Sequence, residues 1–315
     1  MRLVLRAATS LALMGAAACA AVATSTPRPG PIAGPDDAIR IEARHVPLGI
    51  GGATLASGVS YGGGLILRGP KLHGLSDLEV QGDRAWAVSD FGDLVRFTIR
   101  LDRNGRLTSV DSAIARPLTG PDGAILTPKA NADAEGLAIL ADGEALVSFE
   151  RDHRIWSYGP EFASPASPVP HPDFAFPDNE GMEGLSADGD GWLVLGEGGG
   201  AWLCDRGGCA PLSDPMPTPA DGFRFTGADR DPNGGWFVVE RYYAPPLDMR
   251  VRVRHLSPGS GLSEPLIQLR PPASTDNFEG IAAVATATGT RLYLLSDDNN
   301  NFVQKTLLLA FDVRR

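Results

Sequence analysis

The sequence predicts an all-β fold, a β-propeller of four-stranded antiparallel blades. Three observations carry this. After residue 40, short apolar runs alternate with clusters of Gly, Asp, Asn and Pro, and helical periodicity is scarce. One unit recurs five times. The acids that open its copies lie 58, 48, 46 and 50 residues apart, the period expected of a propeller blade.

Each copy opens with an acid near an apolar residue, passes a turn, enters a strong apolar strand and ends on a second acid. The copies run from Asp77 to Asp90, Glu135 to Glu150, Glu183 to Glu197, Asp229 to Glu240, and Glu279 to Asp297. A further strand follows each, at Asp93–Ile99, His153–Tyr158, Ala201–Cys204, Arg250–Leu256 and Thr306–Val313. Segments between units, such as Leu266–Leu269, supply fourth strands. The stretch Ile41–Leu67 is long enough for one more partial blade, which predicts six blades, with the first and last strands completing one shared blade and removing open sheet edges.

The second copy shows why the acids should meet. Asp142-Gly143 is a favoured hairpin turn, and folding about it sets Glu135 opposite Glu150 at the open end. Repeated radially, this gathers the acids on one face of the disc. Crowded carboxylates raise one another's pKa or require a cation, and their hard oxygens suit calcium or magnesium. Asp77, Asp90, Glu150, Glu197, Asp229, Glu240, Asp297 and Asp298 are the candidate metal ligands. Glu135, Glu183 and Glu279 are candidates for metal ligand or general base. Arg151 and Arg241, each directly after an acid, are candidates to clamp phosphate through guanidinium forks or to bridge neighbouring acids. The competing structural role for any single acid is capping a turn through local hydrogen bonds.

The remaining composition narrows the function classes. With 38 acidic and 28 basic residues the chain carries a formal charge of −10, which repels a phosphate backbone and excludes nucleic acid as an expected partner. G-x-S-x-G, P-loop and H-E-x-x-H patterns are missing, as is the R-H-G signature of histidine acid phosphatases. The tryptophans fall in predicted strands, as blade core.

The N-terminus reads as an export signal over residues 1–23: Arg2 and Arg6, then an apolar, alanine-rich run. Ala21-Val22-Ala23 fits an ordinary peptidase site, whereas Ala16-Ala17-Ala18-Cys19 resembles a lipobox, in which Cys19 would carry lipid and give the only membrane attachment. Residues 24–38 read as a flexible linker and 39–315 as the propeller. In the oxidising periplasm or outside the cell, Cys204 and Cys209 could close a small disulfide loop.

Several segments resemble a known family. Glu135-Gly136-Leu137, then Leu146-Val147-Ser148-Phe149-Glu150-Arg151 and His153-Arg154-Ile155-Trp156, look like the phytase-like family called esterase-like activity of phytase. So do Asn277-Phe278-Glu279-Gly280-Ile281, Leu295-Ser296-Asp297-Asp298-Asn299 and the ending Gln304-Lys305-Thr306-Leu307-Leu308-Leu309. The resemblance covers about residues 45 to 315 and departs from the family at the asparagine-rich Asn299-Asn300-Asn301-Phe302. It implies an exported phosphoester hydrolase, acting on a small phosphorylated substrate with calcium, or magnesium, as cofactor. The alternatives are a non-catalytic propeller stabilised by calcium and a metal-dependent lactonase.

Overall fold

The computed structural model describes residues 36–245 and 248–314, which form five antiparallel sheets. The expected export signal, Cys19 and most of the expected linker lie outside the described residues. Blade 1 runs outward from its inner strand Leu75–Gln81 through Arg84–Ser89 and Asp93–Leu101 to Leu107–Pro117. Blade 2 follows with Ala134–Ile139, Glu144–Phe149, Arg154–Pro160 and Ser167–Val169, and blade 3 with Met182–Asp188, Gly191–Gly196, Ala201–Asp205 and Gly208–Pro211. The inner strands of blades 4 and 5 are Arg224–Arg230 and Asn277–Thr286.

These five inner strands touch in sequence, and the fifth returns to the first, closing the ring. The blade count is therefore five, not the six expected. The segment assigned to a sixth blade is spent on existing sheets. Val59–Arg68 pairs with the C-terminal strand Thr306–Arg314 and Glu42–His45 pairs outside it, while Ala53–Leu55 extends blade 4 beyond Ile267–Leu269. The expected pairing of first and last strands thus forms inside blade 5, where it closes the ring and covers an edge that would otherwise stay open. The end of the expected linker is also used: Asp37–Ala38 adds a short outer strand to blade 1.

Alternation along each strand sends one set of side chains into each gap between blades. Leu65, Leu78, Phe97, Leu295 and Leu308 pack in one such gap, and Phe237, Val251, Val253, Phe278 and Leu294 in another. Trp86, Trp192 and Trp236 are buried in this way, as core rather than ligand platform. Cys204 and Cys209 face each other across the outer hairpin of blade 3 and are joined by a disulfide. Among the described residues, no helix is long and apolar enough to cross a membrane.

Candidate functional site

Every inner strand carries a register shift against its neighbour near its first residues. The displaced residue is Ser76 in blade 1, Glu135 in blade 2, Glu183 in blade 3, Thr226 in blade 4 and Glu279 in blade 5. Such a bulge re-aims one side chain without ending the sheet. The residue after it is glycine in four blades because the inner strands come very close at the axis. A Cβ on Gly227 would lie 2.0 Å from the Glu279 carbonyl oxygen, and one on Gly280 would lie 2.9 Å from the Asp77 Cα. The Glu-Gly pairs visible in the sequence are thus a rim acid followed by a forced close approach.

The second rim position follows the end of the hairpin's return segment. It is Asp90, Glu150, Glu197 and Asp297 in blades 1, 2, 3 and 5. In blade 4, Phe225 pairs with Glu240, so Glu240 matches Ser89, Phe149 and Gly196, and the rim position belongs to Arg241.

These residues line a bowl of about 230 Å³ at the mouth of the central channel, formed by the rim acids with Ser76, Lys129, Asp133, Arg151, Asn179, Arg241 and Asn299. Eight carboxyls and three cationic side chains share it. The cations are unequally committed. Lys129 Nζ donates to Asp90 Oδ2 at 2.7 Å and to Asp133 Oδ1 at 3.3 Å. Arg151 Nε donates to Asp133 Oδ2 at 2.5 Å, so it is held by a blade-2 acid rather than left open as a phosphate clamp. Arg241 stands 3.8 Å from both Glu197 and Glu279, and its buried Nε has no hydrogen-bond partner.

Burial and mutual repulsion push the acids up. Burial raises Glu135 well above the usual carboxylate range, aided by Glu183 and Glu279. Burial likewise raises Glu183, aided by Glu197 and Glu279. Glu279 is raised to about 8 by burial and by Asp297, and Asp297 to about 7 by burial and then by Asp90 and Asp298, against a backbone hydrogen bond from Asn299. Glu150 rises to about 7 through burial and Asp133. Asp90 and Glu197 are raised by burial as well. Such a set favours a cation or bound protons.

One corner has metal-ligand spacing. Asp133, Glu135 and Glu150 each offer an oxygen, all within 4.8 Å of one another. Asp90 Oδ1 is buried without a hydrogen-bond partner. An all-oxygen donor set of this charge fits calcium or magnesium.

Four expected ligands lie elsewhere. Asp77 falls one residue beyond the bulge, where other blades have glycine, and its oxygens accept the amides of Leu78 and Leu137, both at 2.8 Å. Asp229 falls three residues beyond the blade-4 bulge and accepts the amides of Arg230 and Ala283, both at 2.6 Å. With Glu79, these two form a buried acidic group further down the channel. Burial raises Asp77 and Glu79 well above the usual range and takes Asp229 to about 7. They satisfy backbone donors on the unpaired edges of neighbouring inner strands. Glu240 is fully buried and ion-paired to Arg252. Asp298 points to the outer side of its loop, where it meets His73 Nδ1 at 2.7 Å.

Sequence reasoning missed Asp133 and Lys129. The alternation Asp133-Ala134-Glu135, two acids on one side of a strand entry, was a readable signal for the first. Lys129 sits in the short helix Lys129–Ala132, which had no repeat counterpart.

Fold and site together define a β-propeller with an acidic bowl over its central channel. Residues 70–206 match the family model described as esterase-like activity of phytase, and over that stretch the chain is similar to phytase-like proteins. The matched stretch carries Asp133, Glu135, Glu150, Glu183 and Glu197. No curated protein matches the chain. Among solved structures it is similar to the major allergen Mala s 1 of Malassezia sympodialis, at 13% identity over 82% of this chain and 90% of that one, with a TM-score of 0.42. It is also similar to virginiamycin B lyase from Staphylococcus aureus, at 11% identity over 87% of this chain and 99% of that one, with a TM-score of 0.41. A streptogramin B lyase gives 10% identity over 88% of each chain and a TM-score of 0.41.

Proposed function

We propose that this protein is an exported, divalent-cation-dependent phosphoester hydrolase whose reaction takes place in the acidic bowl. The observation that supports this reading is the polarity of the bowl: a three-carboxylate corner on blade 2 and an uncommitted guanidinium on blade 4. A phosphoester needs both a cation to neutralise its oxygens and donors to hold them.

In this reading Asp133, Glu135 and Glu150 hold calcium, with magnesium as the other fitting ion. When bound, the ion would neutralise phosphoryl charge and make a bound water more acidic. Arg241 donates its fork to two phosphoryl oxygens, a charge-assisted contact that Lys could not reproduce. Glu279, raised to about 8, takes a proton from the attacking water. Burial pushes Glu183 well above the usual carboxylate range, which favours its protonated form and lets it donate a hydrogen bond to the substrate. Lys129 and Arg151 hold Asp90 and Asp133 in place across the seam between blades 1 and 2.

The test is hydrolysis of an aryl phosphomonoester and an aryl phosphodiester by purified protein, with calcium and with chelator. Calcium-dependent turnover that falls at least 100-fold in Glu279→Gln is expected. Calcium that raises the melting temperature with no turnover on either ester would replace this reading by that of a binding propeller.

A further inference from the structure

Beside the bowl lies a second, larger cavity of about 520 Å³, a volume usual for small-ligand sites. It runs between the segment entering blade 1 and the loop between the last two strands of blade 5. The loop Asp297–Asn300 is the partition. Asp297 and Asn299 line the bowl, whereas Asp298 and Asn300 line the groove. The partition is a fixed turn: Asn299 N donates to Asp297 Oδ1 at 2.7 Å, Asn300 N donates to Asp298 Oδ1 at 3.0 Å, and both asparagines have φ of 48°. His73 Nδ1 holds Asp298 from the opposite wall.

The groove has features the bowl lacks. Phe302, in its lining, is 99% exposed, and the neighbouring Val303 is 62% exposed. A phenyl ring left wholly in water gives up the stabilisation that burial would bring. Arg68 and Lys305 line the same cavity, and neither has a carboxylate within ion-pair distance among the described residues. The one groove carboxylate, Asp298, is already engaged by His73. On a chain of net charge −10, this places two unpaired cations and a bare aromatic ring in one groove.

We propose that this groove is a second ligand site that binds a planar aromatic group carrying a phosphate or phosphonate. Phe302 stacks on the aromatic plane, and Arg68 and Lys305 take the anionic end. The site does not depend on hydrolysis in the bowl. Stacking works on any flat π face, and exposed cations favour a multiply charged oxyanion over a neutral group.

The probe is phenylphosphonate, which phosphoester hydrolysis leaves intact, titrated into the full chain with excess chelator and followed by calorimetry. Chelator keeps any cation-dependent contribution of the bowl out of the measurement. Saturable binding is expected. It should weaken roughly tenfold in Phe302→Ala and by a similar factor in Arg68→Ala/Lys305→Ala, while Glu135→Gln leaves it unchanged. All three changed groove positions are exposed, so the variants should fold. Methylphosphonate should bind the wild type about as weakly as phenylphosphonate binds Phe302→Ala. Absence of saturable binding, or binding that survives both groove variants, overturns the proposal. So does binding that is lost in Glu135→Gln, which would locate the ligand in the bowl.

Discussion

Arg241 stands in blade 4 where Glu150 stands in blade 2: each is the residue just past the one that faces the opening of the inner strand. A ring of acids is thereby broken at one point by a cation. Glu197 and Glu279 flank it at 3.8 Å, too far for tight pairs, and Nε remains free. Replacing Arg241 by Gln should raise KM for a phosphoester roughly 30-fold, the loss of a charge-assisted contact of about 2 kcal/mol. Replacing it by Glu should complete the acidic ring, tighten calcium binding and abolish turnover. Steady-state kinetics with calorimetry on both variants checks this.

The metal-free protein should grow less stable as pH rises. Glu150, Glu279 and Asp297 have folded pKa values raised to about 7, 8 and 7. An acid raised by folding contributes stability that is full below its unfolded value near 4 and is lost as pH climbs through the folded value. With chelator, the melting temperature should therefore fall between pH 5 and pH 8, by several degrees. Calcium should oppose the fall, since it favours the ionised carboxylates. A melting temperature flat or rising over that range contradicts the raised values.

Glu240 and Glu135 should behave oppositely although each is one of the acids that bound a copy of the repeat. Glu240 is fully buried and ion-paired to Arg252, so Glu240→Ala strips a buried guanidinium of its close partner, leaving only the exposed Asp221 at 3.7 Å, and should cost about 3 kcal/mol. Glu135→Gln removes a carboxyl whose ionisation burial, Glu183 and Glu279 oppose, so it should lessen the fall in metal-free melting temperature as pH rises while removing the response to calcium. Thermal melts with and without calcium separate the two.

Gly227 sets the spacing of the inner strands. A Cβ there would lie 2.0 Å from the Glu279 carbonyl oxygen, so the strands of blades 4 and 5 must part to accept Gly227→Ala. The expected cost is about 1–3 kcal/mol, together with lower turnover because the Glu279 backbone shifts. A neutral effect on both would contradict the packing of the axis.

The repeat made the propeller legible, because hairpin turns and apolar strands are local signals. Blade number was not, because Val59–Arg68 has the pattern of any buried strand and only its pairing with Thr306–Arg314 places it in blade 5. The rim acids Glu135, Glu183 and Glu279 were legible as the acids that open copies of the repeat. Asp229 was misplaced because it lies three residues past the blade-4 bulge, below the rim, and Asp77 because a one-residue bulge changes which side chain reaches the rim, and a bulge leaves no mark in hydropathy. The same shift by one residue exchanged Glu240 for Arg241.

The central claim is that the bowl takes a divalent cation on Asp133, Glu135 and Glu150. Calorimetric titration of calcium into chelator-stripped protein tests it most directly, with Glu135→Gln as the paired sample. Saturable binding in the first and at least tenfold weaker binding in a folded second is the predicted result. No binding to the wild type, or equal affinity in both, would contradict it.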